Sequence, residues 1–484
     1  MLETSAALKW TRTDANAPIS IDGEKESRYN NGMPLRVRER SVIFVLYFML
    51  GFIPSISVAQ KLVHPSVISS RGQLLAMKDK VKNSPGSIPY AGWVQMTGSP
   101  EAALDYKHTP YATVDWVAAG ESPTEEAMRN DAHSARAHAL QWVVTGKIEH
   151  RDKAITILND WAKTFQNGTS ASASQPRLEC AWLLPLWLSA ADIIRYYDPA
   201  DKAWKQSDRD AFQVFIKKLY DLAYQARDGN ANWAVSSHLA MLSYAAYRDD
   251  KALVESTLAI TIAKMKSISE PDGQIQEVCR DVAHPQFSLV CWLGAAELAN
   301  NLGYPDLYEE KMDGQTTPRL AVILEYFSNM MLGKTDHPCG ADWGSTYLGA
   351  YKLEDNYEIG YNHYINRKHV TYLPGFKQMV EENWRSQNGS DPHFLKWSEL
   401  THGENLALPN TTILFANPGG VTRFGNKASQ GLRIYLGGVG HEYPTDKAWP
   451  AGLIGYDVKG MLTTQMAPGC YLTPVLNASM PVSR

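Results

Sequence analysis

The sequence has little cysteine. Five are spread over 484 residues, at positions 180, 279, 291, 339 and 470. The number is odd and the spacing fits no zinc-ligand pattern, which excludes a structural zinc site of the usual kind. Long runs of Lys and Arg are also missing, and the formal net charge is −4. Binding to a phosphate backbone needs a clustered basic face, so nucleic acid is excluded as a partner. There is no GxSxG elbow, no HExxH, no P-loop and no nucleotide-binding fingerprint. No cofactor is therefore expected. No repeat of fixed length is visible, which disfavours a regular solenoid.

What is present begins at the N-terminus. Arg36, Arg38 and Arg40 precede an apolar run from Val42 to Ile53, followed by SVAQ. Basic, apolar, then small-residue is the order of a secretory signal, with cleavage after Ala59 and Met33 as the true start. The run is too short for the roughly 20 residues of a membrane span. The expected location is thus secreted or periplasmic. Disulfides are permitted there, one or two at most. Cys279 and Cys291 read as lying on one helix, about 18 Å apart along its axis, and so do not pair with each other. Most of the cysteines read as small core residues.

From about Ser66 to Leu332 the chain reads as helix after helix. AHSARAHALQWVVTG has helical apolar spacing and stops at Gly146. ECAWLLPLWLSAADIIRYY, NWAVSSHLAMLSYAAY and HPQFSLVCWLGAAELANNLG are among those that follow, joined by Gly, Asn, Asp and Pro. Paired helices in such number bury one another as a bundle, a solenoid or an α/α toroid. After about Leu408 the pattern changes. TTILFANPGGVTRFG and LRIYLGGVGHEY read as strands and turns. The expected fold is mainly α, an (α/α) toroid or barrel of paired helices, with a short β-rich C-terminal tail.

Three polar constellations interrupt the helical pattern. In GNANWAVSSHLAM, Asn232 sits where an N-cap belongs, Trp233 opens the next helix and His238 follows within it. In DGQIQEVCRDVAHPQF, Pro285 suits a helix starting near His284, which puts Arg280 and Asp281 on the loop before it. An Arg–Asp ion pair with an N-terminal His accounts equally well for those residues. In NYEIGYNHYINR, Tyr361 and Tyr364 are spaced i,i+3 and His363 and Arg367 i,i+4, with Asn362 and Asn366 on a second face. So many hydrogen-bonding side chains would be costly if buried without partners. A weaker set comprises Glu179 and Trp182 in LECAWLLPLW, His402 in KWSELTHG, and Asn130 and Asp131.

Taken together, NANWAVSSHLAM, DGQIQEVCRDVAHPQFSL with AAELANNLGYPDLY, YEIGYNHYINR and WSELTH resemble the alginate lyase superfamily of polysaccharide lyases, in this order and over roughly residues 64–403. The resemblance implies an α/α toroid, an acidic polysaccharide partner, no stable membrane span after signal cleavage, and a monomer or weak dimer. The residue patterns divide the chain into an extension and signal (1–59), a toroid domain (60–406) and a β-rich appendage or partial domain (407–484), the last without a clear counterpart in the family. The resemblance also implies β-elimination across a 1,4-linked uronic acid, alginate/polymannuronate or glucuronan. That reaction needs donors to neutralise the C5 carboxylate, a base for the C5 proton and an acid for the leaving O4.

Carried onto this sequence, the resemblance makes Asn232 and Arg280 carboxylate binders, His238 the base or a carboxylate-orienting partner, and Tyr361 or Tyr364 the acid, or acid and base together. Glu179, Trp182, Trp233, His284, Asn362, His363, Arg367 and His402 become substrate contacts, with His284 and His363 as second choices for catalysis. One departure stands out. Other lyases of this fold place a tyrosine a few residues beyond the arginine of the second motif, where this chain has Gln286 and Phe287. Two other classes remain open on sequence. One is an α/α-barrel glycoside hydrolase using Asp281 with Glu179 or Glu358, which needs carboxylates about 5–9.5 Å apart. The other is a non-catalytic glycan-binding protein.

Overall fold

The computed structural model describes residues 61–118, 120–335, 338–339, 354–384 and 393–407, together with five strands between 431 and 474. The expected signal segment and TTILFANPGGVTRFG lie outside the described residues. Helix α1 (Arg71–Asn83) opens with a capping box, in which Ser70 and Gln73 bond each other's backbone. It leads to α2 (Ile88–Thr97). Helix α3 (Pro123–Thr145) is capped by Ser122, has Pro at its first position and ends at Gly146, whose φ of 73° only glycine adopts freely. Then follow α4 (Ile148–Thr164), α5 (Gln175–Tyr196), α6 (Gln206–Ala223), α7 (Ala231–Tyr247), α8 (Lys251–Ser267) and α9 (Ala283–Asn301).

These helices fall into two layers. The helices α3, α5, α7 and α9 pack successively on one another, while α4, α6 and α8 pack outside them. Composition explains the sorting. The stretch Leu178–Ile194 of α5 is buried throughout, and so is nearly all of α7. Helix α6 buries only Phe212, Phe215, Ile216, Leu219 and Ala223, one stripe at helical spacing. Trp161 on α4, Trp187 on α5 and Phe215 on α6 lock the layers, with ring centroids 5.8 and 5.4 Å apart.

Shorter elements close the inner ring. After α10 (Asp306–Glu309) and α11 (Arg319–Met331), α12 (Tyr357–Tyr361) runs into a π-helical turn at Asn362–Arg367. A further helix, α13 (Pro374–Gln378), is followed by a π-turn at Met379–Trp384, and α14 (Ser398–His402) comes last. Helix α12 packs on α9, α14 on α12, α1 on α14, and α3 on α1. The chain of contacts returns to its origin, which makes a toroid. Outside it, β1 (Thr113–Asp115) pairs in parallel with β2 (Asn167–Thr169). In the tail, Gly431–Leu436 and Val439–Pro444 form an antiparallel hairpin, and Leu453–Tyr456 pairs with Leu462–Thr463 and Tyr471–Pro474. Among the described residues, no helix is long and apolar enough to cross a membrane.

Two local expectations are corrected. The cap of α7 is Asn230, so Asn232 lies inside the first turn rather than before it. Cys279 precedes α9, because the helix begins only at Ala283, and it forms a disulfide with Cys339. Cys180 and Cys291 are free and buried, as small core residues are.

Candidate functional site

The inner helices run in the same direction, and their first turns gather at one end of the ring. Trp182 of α5 donates its indole N–H to Ser236 Oγ of α7 at 2.9 Å and meets Phe287 of α9 edge to face at 5.5 Å. Phe394, on the segment before α14, closes this aromatic floor at 5.8 Å from Trp182 and 5.3 Å from Phe287. That segment is held by Asp355, whose carboxylate accepts from the backbone N–H of Trp397 at 2.7 Å and caps the start of α14.

Above the floor stands the loop before α9. The Asp281 carboxylate accepts from the N–H groups of Ala283 and His284 at 2.9 and 2.8 Å, and pairs with the His284 ring Nδ1 at 2.6 Å. Burial opposes the charge on Asp281, but these donors hold its carboxyl below the usual range. Arg280 extends from the same loop with its side chain 55% exposed, 3.5 Å from Glu277 Oε1 and 3.9 Å from Asp281 Oδ2. Glu277 is itself gripped by Asn232, through the backbone N–H at 3.1 Å and the side-chain amide at 2.6 Å. Burial raises the Glu277 carboxyl against those two bonds.

The structure separates residues that the sequence reading grouped. Asn232 is fully buried and its amide donor is taken by Glu277, so it braces the Arg280 loop instead of facing a ligand. His238 comes six residues later on α7, about 240° around the helix. Its Nε2–H donates to the Arg227 carbonyl at 2.9 Å, and burial pushes its pKa down to about 4. It points away from the Arg280 loop, which corrects its placement as the base. Trp233 is half-buried beside Asn232.

The third motif runs along α9, from Tyr357 on Gln286 in its first turn to Arg367 on Glu297 towards its other end. Its segment runs alongside α9, with the Glu354 N–H on Gln286 Oε1 at 3.0 Å and Arg367 Nη1 on Glu297 at 3.1 Å. Glu297 is 13 residues beyond His284 on α9, about 20 Å along the axis. Buried Glu297 also takes hydrogen bonds from Tyr308 at 2.9 Å and from Gln73, and lies 3.7 Å from His402. Burial would raise its carboxyl, but Arg367, His402 and His363 hold it low. Burial in turn lowers His363 to about 3 and His402 to about 4. Tyr364 donates to the Tyr308 carbonyl at 2.9 Å, Tyr361 to Glu381, and Asn362 to the Asn405 carbonyl at 2.7 Å. Tyr364, Asn362, His363, Arg367 and His402 therefore form a buried joint, not a wall of the site around Arg280, while the buried Tyr361 is spent on Glu381. The tyrosines are corrected as acids at that site for the same reason. Gln286, facing inward, bonds the Glu354 N–H and the Tyr357 hydroxyl.

Several groups at the site had no sequence signal. His393 stands over Trp182 with ring centroids 4.7 Å apart, and Arg129 Nη1 lies 2.8 Å from its Nε2. Glu179, expected to contact substrate, is buried beneath it, 3.6 Å from His393 Nε2, and burial raises its carboxyl to about 7. Glu125, Glu179 and His393 each bring one donor atom within 4.8 Å of the others, the kind of set that holds a cation. Arg129, however, also reaches Glu125 Oε1 at 3.6 Å and Glu121, so a guanidinium already fills that place. Asp131 ties helices, accepting from Trp161 and Tyr106 at 2.7 and 2.8 Å.

With this geometry in hand, comparisons with known proteins are informative. A family model described as alginate lyase matches residues 75–335. Among solved structures, an alginate lyase from Bacteroides ovatus is similar with a TM-score of 0.50 at 12% identity, covering 70% of this chain and 99% of that one. Alginate lyase A1-III from Sphingomonas species A1 is similar with a TM-score of 0.46 at 14% identity, covering 70% of this chain and 99% of its own. No curated protein matches the sequence. The first likeness bears on the fold, that of α/α-toroid alginate lyases.

Proposed function

The chain belongs to the alginate lyase family and is a polysaccharide lyase, and from that premise we propose that it cleaves a 1,4-linked polyuronate, alginate/polymannuronate or glucuronan, by β-elimination. The carrying observation is the start of α9, where a half-exposed Arg280 guanidinium adjoins a 2.6 Å Asp281–His284 pair. In this reading Arg280 binds the C5 carboxylate and stabilises the charge that builds there as the C5 proton leaves. His284 takes that proton at Nε2, since Nδ1 is committed to Asp281, which orients the ring. The converging first turns of α3, α5, α7 and α9 add positive helix-dipole ends, which favour an anionic ligand.

The hydrolase alternative finds less support. Asp281 is occupied by His284, and Glu358 is fully buried on α12. The test is ultraviolet absorbance of the C4–C5 unsaturated product over a panel of polyuronates. Mannuronan or glucuronan is expected to give the signal. If mannuronan, guluronan, glucuronan, pectate and glycosaminoglycans all stay silent, the reading fails. Export through the N-terminal leader is part of the proposal. The Cys279–Cys339 bond supports it, because such bonds persist in oxidising compartments. Mass analysis of the exported chain should place its first residue at Gln60.

A further inference from the structure

Outside the candidate site, one exposed tripeptide fits a different chemistry. Asn167, Gly168 and Thr169 form β2, and Asn-X-Ser/Thr is the acceptor pattern for an N-linked oligosaccharide. Side chains alternate along a strand, so Asn167 and Thr169 share one face and Gly168 takes the other. Burial follows that alternation, with Asn167 and Thr169 exposed and Gly168 half-buried. Gly168 lies against the fully buried Trp116, where a Cβ would come within 1.6 Å of the indole Cζ3. Glycine in a strand marks such a close approach. The contact also fixes which way its two neighbours face.

The ladder holds this acceptor in place without using it up. Asn167 donates its backbone N–H to the Ala112 carbonyl at 3.2 Å, and its Oδ1 accepts from Thr113 Oγ1 at 3.0 Å. Its Nδ2 has no hydrogen-bond partner among the described residues. Thr169 donates its hydroxyl to Asp115 Oδ1 at 3.1 Å. Asp115 in turn donates its backbone N–H to Thr124 Oγ1, in the first turn of α3, at 2.9 Å. The strand pair is thus pinned to the outside of the ring, with the Asn167 amide open to solvent. The finished fold leaves room there for a bulky substituent.

Resting on the export part of the reading above, and not on the lyase chemistry, we propose that Asn167 carries an N-linked oligosaccharide, transferred from a lipid diphosphate-linked donor. The leader takes the chain into a secretory compartment, and the Cys279–Cys339 bond suits the oxidising conditions found there. In the transfer, a bond forms between Asn167 Nδ2 and the anomeric carbon of the sugar. The bond from that carbon to the diphosphate oxygen breaks, and the lipid diphosphate leaves. The amide nitrogen gives up one proton to a base of the transferase. The same tripeptide pattern recurs at Asn388, Asn410 and Asn477, which lie outside the described residues. The proposal concerns Asn167 alone.

The experiment takes the full chain as its own cells export it, and variants exported with the same leader from a eukaryotic host. Peptide N-glycosidase turns a glycosylated asparagine into aspartate. In heavy-oxygen water, the peptide spanning position 167 should therefore gain a labelled aspartate there. Asn167→Gln should remove the mass of one glycan from the intact chain. Thr169→Ala should do the same although Asn167 is kept, and Thr169→Ser should retain the sugar. Both residues are exposed, so circular dichroism of each variant should match the wild type. A bare Asn167 in an exported chain whose Cys279–Cys339 bond is formed overturns the proposal, even if Asn388, Asn410 or Asn477 carries sugar. Unchanged mass in Asn167→Gln overturns it as well. Either result leaves the lyase reading intact. A chain retained with its leader uncut removes the export reading and the proposal together. Silence on every polyuronate, with sugar found on Asn167, removes the lyase reading and supports this one.

Discussion

Asp281 and His284 are joined twice, through the His284 backbone N–H at 2.8 Å and through its ring Nδ1 at 2.6 Å. The first bond starts α9 and the second fixes the orientation of the imidazole. Replacing Asp281 by Asn keeps the shape but offers an amide where the ring needs an acceptor. Initial rates followed by product absorbance should fall by about 10²-fold in Asp281→Asn, and by about 10²–10⁴-fold in His284→Gln. Circular dichroism should stay unchanged in both.

Arg280 should be worth about 2.7–4 kcal/mol of transition-state stabilisation, by analogy with one oxyanion donor. In Arg280→Ala, kcat/KM is expected to drop by about 10²–10³-fold. Arg280→Lys should recover only part, because an ammonium cannot present the paired donors of a guanidinium to a carboxylate. Equal rates in Lys and Arg enzymes would argue against a two-point grip.

The tyrosines of the third motif should behave as structural residues. Tyr364→Phe removes one buried hydrogen bond to the Tyr308 carbonyl and should cost about 0.5–1.5 kcal/mol of stability. Glu297→Gln leaves Arg367 buried without its carboxylate and should cost about 3–5 kcal/mol. Urea unfolding measures both. In Tyr361→Phe and Tyr364→Phe, kcat should remain close to that of the wild type. A collapse of kcat in a stable Tyr364→Phe variant would return that residue to the chemistry.

His64 gives the fold a pH dependence of its own. Its ring pairs with Asp192 at 3.0 Å and Asp249 at 3.1 Å, and the N–H groups of Ser66 and Val67 fall on the same Asp192. Burial works against the charge, but the two carboxylates outweigh it and raise His64 to about 9. The folded-state value lies above the unfolded one. The stabilisation, at most about 3 kcal/mol, is therefore whole below about pH 6.5 and is lost as pH rises through about 9. The melting temperature should decline over that interval in the wild type, and His64→Gln should remove that part of the decline.

The toroid was largely legible in the sequence. Continuous burial in ECAWLLPLW and one-sided spacing in DAFQVFIKKL already distinguish an inner helix from an outer one. Pro285 also located the start of α9 to within a few residues, which left Arg280 on its loop. The site was read less well, because polar density does not say where a segment packs. YNHY is as rich in titratable groups as RDVAH, yet it spends them on structural partners, Tyr361 on Glu381, Asn362 on the Asn405 carbonyl, His363 stacked on Tyr308 and Tyr364 on the Tyr308 carbonyl. His393 was invisible for the opposite reason. It lies in a segment without periodicity and reaches the site only because Asp355 secures the backbone at Trp397.

The disulfide between Cys279 and Cys339 closes a 60-residue excursion immediately before Arg280. Such a link restrains the unfolded chain by about 2–4 kcal/mol. Its consequence for the reaction is preorganisation. A loop that is already ordered presents its guanidinium without losing further freedom when a sugar chain arrives, so more of the contact energy remains for the transition state. In Cys339→Ser the loss should therefore fall on turnover and on KM together, and a reductant should reproduce it in the unmutated protein.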